Sequence, residues 1–229
     1  VKEAREMVRS GKLGRILKVV VEYPQGYAID SVDGESDGAI SSWRADPSVA
    51  GQSNCIGDIG IHAENLARYI TGLEIESLCS DVSTFIPTAQ LDDDGNVLLR
   101  FEGGAKGILF ASQISNGDEN NLNIRVWGTG GSIQWFQEHP NELIWKKFDE
   151  PHQIYRRGNG YLSEVAQANS RTPFGHQEAF IEAFANVYMS VAKAIEDEVE
   201  GRHQTGEYDF PTVDDGGDGM LLTDTVLKS

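Results

Sequence analysis

Apolar and polar positions alternate through much of the first two thirds of the chain, and the alternation changes period several times. Val1 to Ser10 carries Ala4, Met7 and Val8 on one helical face, and Gly11 and Gly14 stop it. Ile16 to Tyr23 is β-branched and bounded by Gly14 and Pro24, which predicts a strand. Gln25 to Ser42, rich in Gly, Asp and Ser, predicts a long loop. A helix is expected over Asp58 to Thr71, with Gly72 ending it in a left-handed turn. Strand-like runs follow at Ser77–Ile86, Val97–Phe101, Ala105–Gln113, Leu122–Trp127, Ser132–Gln137 and Leu143–Phe148. Asp92–Asn96 and Glu102–Gly104 predict hairpin connections, the acidic Asp92–Asp94 being expected as a solvated turn. Residues 157–173 show no period.

The strongest helical period runs from Gly175 to Glu200, where Phe180, Ile181, Phe184, Tyr188, Val191, Ala192, Ile195 and Val199 recur at three and four. A last helix is expected after Pro211, with Thr212 and Asp215 at capping-box spacing. This order gives an α+β fold: a large open, mostly antiparallel sheet with helices on one face. A doubly wound sheet would alternate strand and helix, and this chain does not.

With 229 residues the chain buries a core without staples, and its net charge of -17 argues against nucleic acid or an anionic membrane as partner. No apolar run approaches a membrane span and no secretory segment opens the chain, so a cytoplasmic protein is expected. Cys55 and Cys79 make no disulfide framework and read as reduced thiols. The chain begins at Val1, which fits either processing or a fragment of a longer protein.

Candidate chemistry concentrates in Gly57-Asp58-Ile59-Gly60-Ile61-His62. On a helix, Asp58 and His62 share one surface at a spacing of four, and a carboxylate beside an imidazole suits general acid/base work. A helix cap and a plain surface histidine account for the same pattern. Gly128-Thr129-Gly130-Gly131 lies between two strand-like runs and reads as a hairpin turn, not a phosphate loop, which needs a following helix. His176, near the start of the expected long helix, reads as either a pocket residue or a plain surface histidine, and no metal site is expected from it, Glu178 or the two cysteines. Trp43-Arg44 on a polar loop suits either a clamp on an anionic group or a covered core edge. Asp214, Asp215 and Asp218 read as first-turn acids of the last helix.

The stretch from Trp43-Arg44-Ala45-Asp46-Pro47 through Gly57-Asp58-Ile59-Gly60-Ile61-His62-Ala63 to Thr71-Gly72 resembles the Gfo/Idh/MocA oxidoreductases. So do Gly11–Ile16, Phe101–Gly107, Gly128–Ser132, Gly175-His176 and Phe210–Gly216, which together extend the resemblance over nearly the whole chain. The resemblance implies a glyceraldehyde-3-phosphate-dehydrogenase-like C-terminal domain that follows an N-terminal Rossmann domain binding NAD or NADP. Residues 1–14 would be a helix from the junction and residues 15–229 the substrate domain. The family's dinucleotide glycines and its Glu-Lys-Pro motif have no match here, so this chain alone is expected to be inactive and to bind the cofactor weakly. Asp58 and His62 match members of the family's Lys-Asp-His set. His62 would be the acid/base for a sugar or polyol hydroxyl, and Asp58 would orient it or anchor the sugar. Trp43, Arg44 and His176 would contact the substrate or close over the nicotinamide. The open sheet implies a homo-oligomer. A non-enzymatic sugar-binding or dimerising scaffold is the alternative, and a cofactor-free lyase or isomerase using His62 alone is a third.

Overall fold

The computed structural model describes residues 1–34, 43, 46–202 and 208–229. The chain opens with helix α1 (Lys2–Arg9), whose Ala4 and Met7 point into the core as their spacing predicts. Strand β1 (Ile16–Pro24) follows, then a short helix α2 (Pro47–Ala50) capped by Asp46. A wide π turn over Ile56–Gly60 leads into helix α3 (Ile61–Thr71), which Gly72 ends at φ 66°. Seven strands come next: β2 (Ile75–Ser83), β3 (Asp94–Phe101), β4 (Lys106–Ser112), β5 (Asn123–Gly128), β6 (Ser132–Phe136), β7 (Glu142–Lys146) and β8 (Gln153–Arg156). Helices α4 (Glu164–Ala168), α5 (Phe180–Val199) and α6 (Val213–Lys228) complete the chain.

The strands form one open sheet in the order β2-β3-β4-β1-β5-β6-β7-β8. Every pair is antiparallel except β1 with β4, which run parallel with Val19 opposite Gly107 and Tyr23 opposite Ala111. Inward residues alternate as a half-buried strand requires: Val97, Leu99 and Phe101 are buried while Leu98 and Arg100 are exposed. The inner face joins Val19, Val21, Leu109, Ile124 and Val126 to the buried stripe of α3, formed by Ala63, Leu66, Ala67 and Ile70. Leu222 and Val226 of α6 close the same core. The expected α+β architecture is therefore the observed one.

Three expectations are corrected. Residues 153–156 form an edge strand that the sequence pattern does not announce, because three of the four are exposed and carry no alternation. The long helix begins at Phe180 rather than Gly175. Arg157 reaches into the segment before it, donating to the carbonyl oxygens of Thr172 and Pro173 and pairing with the buried Glu178 at 2.8 Å, so that segment stays a loop. The apolar stripe of α5 does not enter the core: Phe180, Ile181, Tyr188, Ile195 and Val199 are exposed. Its one buried residue is Asp197, held by Lys193, Arg202 and Tyr208, which keep its carboxyl down at about 2. At α6 the capping box is present as expected, with Thr212 N donating to Asp215 Oδ2 at 2.7 Å.

Arg68 ties α3 to its neighbours, meeting Glu64 on its own helix, Glu74 before β2 and Asp218 on α6. Burial pushes the Glu64 carboxyl up to about 7 from 4.5, against the opposing pull of Arg68. A carboxyl raised by folding favours the fold while protonated. Its contribution is complete below pH 4.5 and fades as the pH climbs through about 7. Glu64→Gln should remove that fade, so the melting temperature of the variant should gain on the unsubstituted protein as the pH is raised across this window. Parallel melting curves for the two proteins would contradict the assignment.

Candidate active site

The site is assembled where β1 and β4 end side by side and the π turn before α3 meets them. Its foundation is Asp92, which is buried at 5% exposure. One carboxylate oxygen accepts from the backbone N–H of Asn54 at 2.8 Å; the other accepts from Ile56 N at 2.8 Å and from Ser53 Oγ at 3.0 Å. Ser53 Oγ in turn accepts from Gly57 N at 2.9 Å. The amides that open a helix have no partner within it, and here a distant aspartate supplies one. Asp93 acts in the same way on Phe85 N and Ile86 N. The acidic run expected as a solvated turn is thus corrected: Asp92 and Asp93 are buried anchors, because each finds backbone donors to satisfy it. Ile56 packs so closely on Gly95 that an added Cβ there would lie 2.6 Å from its Cδ1.

This frame carries Asp58 in the middle of the π turn rather than in the first turn of an α-helix. Such wide turns recur at functional sites, where they redirect side chains. Gln113 Nε2 donates to Asp58 Oδ2 at 3.3 Å, and Asn54 Nδ2 donates to Gln113 Oε1 at 2.5 Å. His62 stands on α3 and is exposed, its ring edge-on to Tyr23 with centroids 6.3 Å apart. Tyr23 Oη and Gln25 Nε2 both donate to Asn120 Oδ1, at 2.6 and 2.8 Å. Cys55 is buried beneath the turn and its thiol is pushed up, first by burial and then by the surrounding aspartates; Cys79 is exposed and also free.

Asp58 and Asn54 line a cavity of about 550 Å³, walled by Trp43 and by Met220 and Leu221 of α6. The structure therefore brings Trp43 to Asp58. Arg44 lies outside the described residues. His176 goes elsewhere: it is exposed on the loop before α5, its carbonyl accepting from Arg157, and it lines a separate cavity of about 840 Å³ with His139, Arg156 and Tyr161. Among the described residues no group of three His, Cys, Asp or Glu is placed to hold a metal, and no helix is long and apolar enough to cross a membrane. Gln113, Asn54 and Asp92, which frame the candidate Asp58, and Tyr23 and Asn120 beside His62 were missed by sequence reasoning.

The glycine turn is the hairpin expected, joining β5 to β6. Its amides are already engaged: Gly128 N donates to Gly131 O, Thr129 N to Arg15 O and Gly130 N to Leu13 O. An added Cβ would lie 2.1 Å from Leu13 O at Gly128 and 2.3 Å from the Trp145 ring at Gly131. The glycines serve close packing of protein on protein.

The family model described as the GFO/IDH/MocA C-terminal domain matches residues 1–134. The chain belongs to the Gfo/Idh/MocA family. An uncharacterized oxidoreductase of Bacillus subtilis strain 168, YfiI, is 32% identical over 99% of the chain, which spans 58% of that relative. An inositol dehydrogenase homolog from Azotobacter vinelandii, solved with NAD+, superposes with a TM-score of 0.91 at 30% identity over 100% of the chain and 59% of its own. Levoglucosan dehydrogenase in complex with NADH and L-sorbose superposes at 0.82 with 26% identity, over 99% of the chain and 59% of its own. The chain thus spans less than two thirds of each of these Gfo/Idh/MocA relatives. A nicotinamide dinucleotide needs free backbone amides at a glycine turn for its pyrophosphate. The Gly128, Thr129 and Gly130 amides are spent on protein carbonyls and the turn leads into a strand, so it does not fit that group.

Proposed function

We propose that this chain is the substrate-side domain of an NAD(P)-dependent oxidoreductase acting on a sugar, polyol or related hydroxyl compound. The observation that carries the reading is an Asp58 carboxylate held on a buried polar frame, one helical turn before an exposed His62. Hydride exchange is the chemistry that a bound nicotinamide supplies. His62 takes up the proton of the reacting hydroxyl or returns it, and Asp58 orients the imidazole or anchors the sugar. Trp43 offers a flat apolar wall beside Asp58, of the kind on which a sugar ring packs. The L-sorbose bound by levoglucosan dehydrogenase and the myo-inositol bound by the Azotobacter vinelandii inositol dehydrogenase homolog support a hydroxyl-rich ligand, and the engaged amides of Gly128, Thr129 and Gly130 support a dinucleotide site in the rest of the protein, with residues 1–14 as the junction. The assay is reduction of NAD or NADP by the full-length protein with myo-inositol, levoglucosan and L-sorbose as a starting panel. Turnover of none of these or of related polyols would contradict the reading.

Two expectations accompany it. Calorimetric titration of this chain alone with NAD or NADP should give a dissociation constant weaker than about 100 μM, and binding stronger than roughly 5.5 kcal/mol would mean that the cofactor site lies within it. The sheet face opposite the helices exposes Leu98 and Ile154 and carries the Glu22–Arg125 pair, and it should be covered by a second subunit. A single monomeric species in sedimentation at micromolar concentration would contradict the second expectation.

A further inference from the structure

Gln113 is the most deeply buried polar side chain near the site, with 0% of its surface exposed, and it bridges Asn54 and Asp58 at the π turn, more than fifty residues earlier in the chain. A buried primary amide carries two donors at one end and an acceptor at the other, so its orientation has consequences. An ionised Asp58 only accepts hydrogen bonds, which obliges Gln113 to turn its NH2 towards it. The Gln113 carbonyl then faces Asn54, and Asn54 must present its own NH2 in reply. That leaves Asn54 Oδ1 facing away, and this atom is buried without a partner among the described residues. An unsatisfied buried acceptor destabilises a fold, and it persists where another demand fixes the group. The Asn54 backbone N–H is fixed on Asp92, which also holds Ile56 and Ser53, so the amide projects from an anchored backbone. Gln113 is equally fixed, its backbone N–H donating to Asp93 O at 2.9 Å. Two neighbouring buried aspartates therefore anchor the backbones that carry both amides, and the Asn54–Gln113 chain presents one donor to Asp58.

We propose that Gln113, oriented by Asn54, is a positioning residue: its directed amide sets the rotamer in which Asp58 meets substrate and His62. This rests on the function proposed above and adds to it a group that does not touch the substrate. Structural amides in cores are common, and a purely structural Gln113 would affect stability alone.

A double-mutant cycle in the full-length enzyme separates these roles, with NAD or NADP and the panel compound that turns over fastest. Asp58→Asn alone should lower kcat about a hundredfold. Gln113→Met, similar in shape but without the amide, should lower kcat about tenfold, the scale of a hydrogen bond to a charged group, with the substrate KM within about twofold. In the Asp58→Asn background Gln113→Met should have no further effect on kcat. Losses that multiply, or a lowered melting temperature with kcat unchanged, would overturn the positioning role while leaving the functional reading intact. A silent Asp58→Asn would overturn both. If Gln113→Met does not fold, Asn54→Ala frees the same amide to rotate and is read through the same cycle.

Discussion

Asp92→Ala is expected to destabilise the protein by about 3–5 kcal/mol, the largest effect of any substitution outside the apolar core. The carboxylate is buried and accepts from two backbone N–H groups and one hydroxyl. Alanine leaves Asn54 N, Ile56 N and Ser53 Oγ in a space that holds no replacement acceptor on the side chain. Each hydrogen bond to a charged group is worth roughly 1.5–3 kcal/mol, and the three are not independent because they share one anchor. Asp92→Asn keeps the shape but sets an NH2 against a backbone N–H, so it should cost less than alanine and still be measurable. Denaturant unfolding read by the tryptophans reports both. A loss under about 1 kcal/mol for alanine would mean that water enters the turn and takes over the carboxylate's role.

Those same residues mark the limit of what the chain reveals on its own. Strand β3 was legible because its apolar side chains fall on alternate positions, and α3 because Ala63, Leu66, Ala67 and Ile70 recur at helical spacing. Asp58 and His62 were legible for the same reason: both lie within one local period. Asn54, Asp92 and Gln113 were not, because they meet across 38 and 59 residues of sequence. An aspartate that caps a distant turn reads like one in water, and only the folded chain tells them apart. The π turn escaped too, since a five-residue widening leaves the four-residue spacing of Asp58 and His62 unchanged. Helix α5 shows the converse. Its stripe announced a buried helix, yet Phe180, Ile181 and Tyr188 face outward, so periodicity gave the element without giving its partner. His176 was drawn towards the site by its place before that helix, and the Arg157 node instead holds its loop beside the other cavity.

His62 carries the proposed proton transfer, and the second large effect is expected there. The imidazole is exposed and touches Tyr23 only edge-on, so the fold does not depend on it. General acid/base groups contribute about a hundredfold to ten-thousandfold in rate. Removing one that holds the hydroxyl proton should therefore lower turnover without loosening the substrate or the structure. The decisive measurement is steady-state turnover of the full-length protein and its His62→Ala variant with saturating NAD or NADP, across a range of polyol concentrations, alongside melting curves for both. The prediction is a kcat lower by about a hundredfold or more, with the substrate KM and the melting temperature little changed. An unchanged kcat with a raised KM would contradict it and leave His62 as a binding residue.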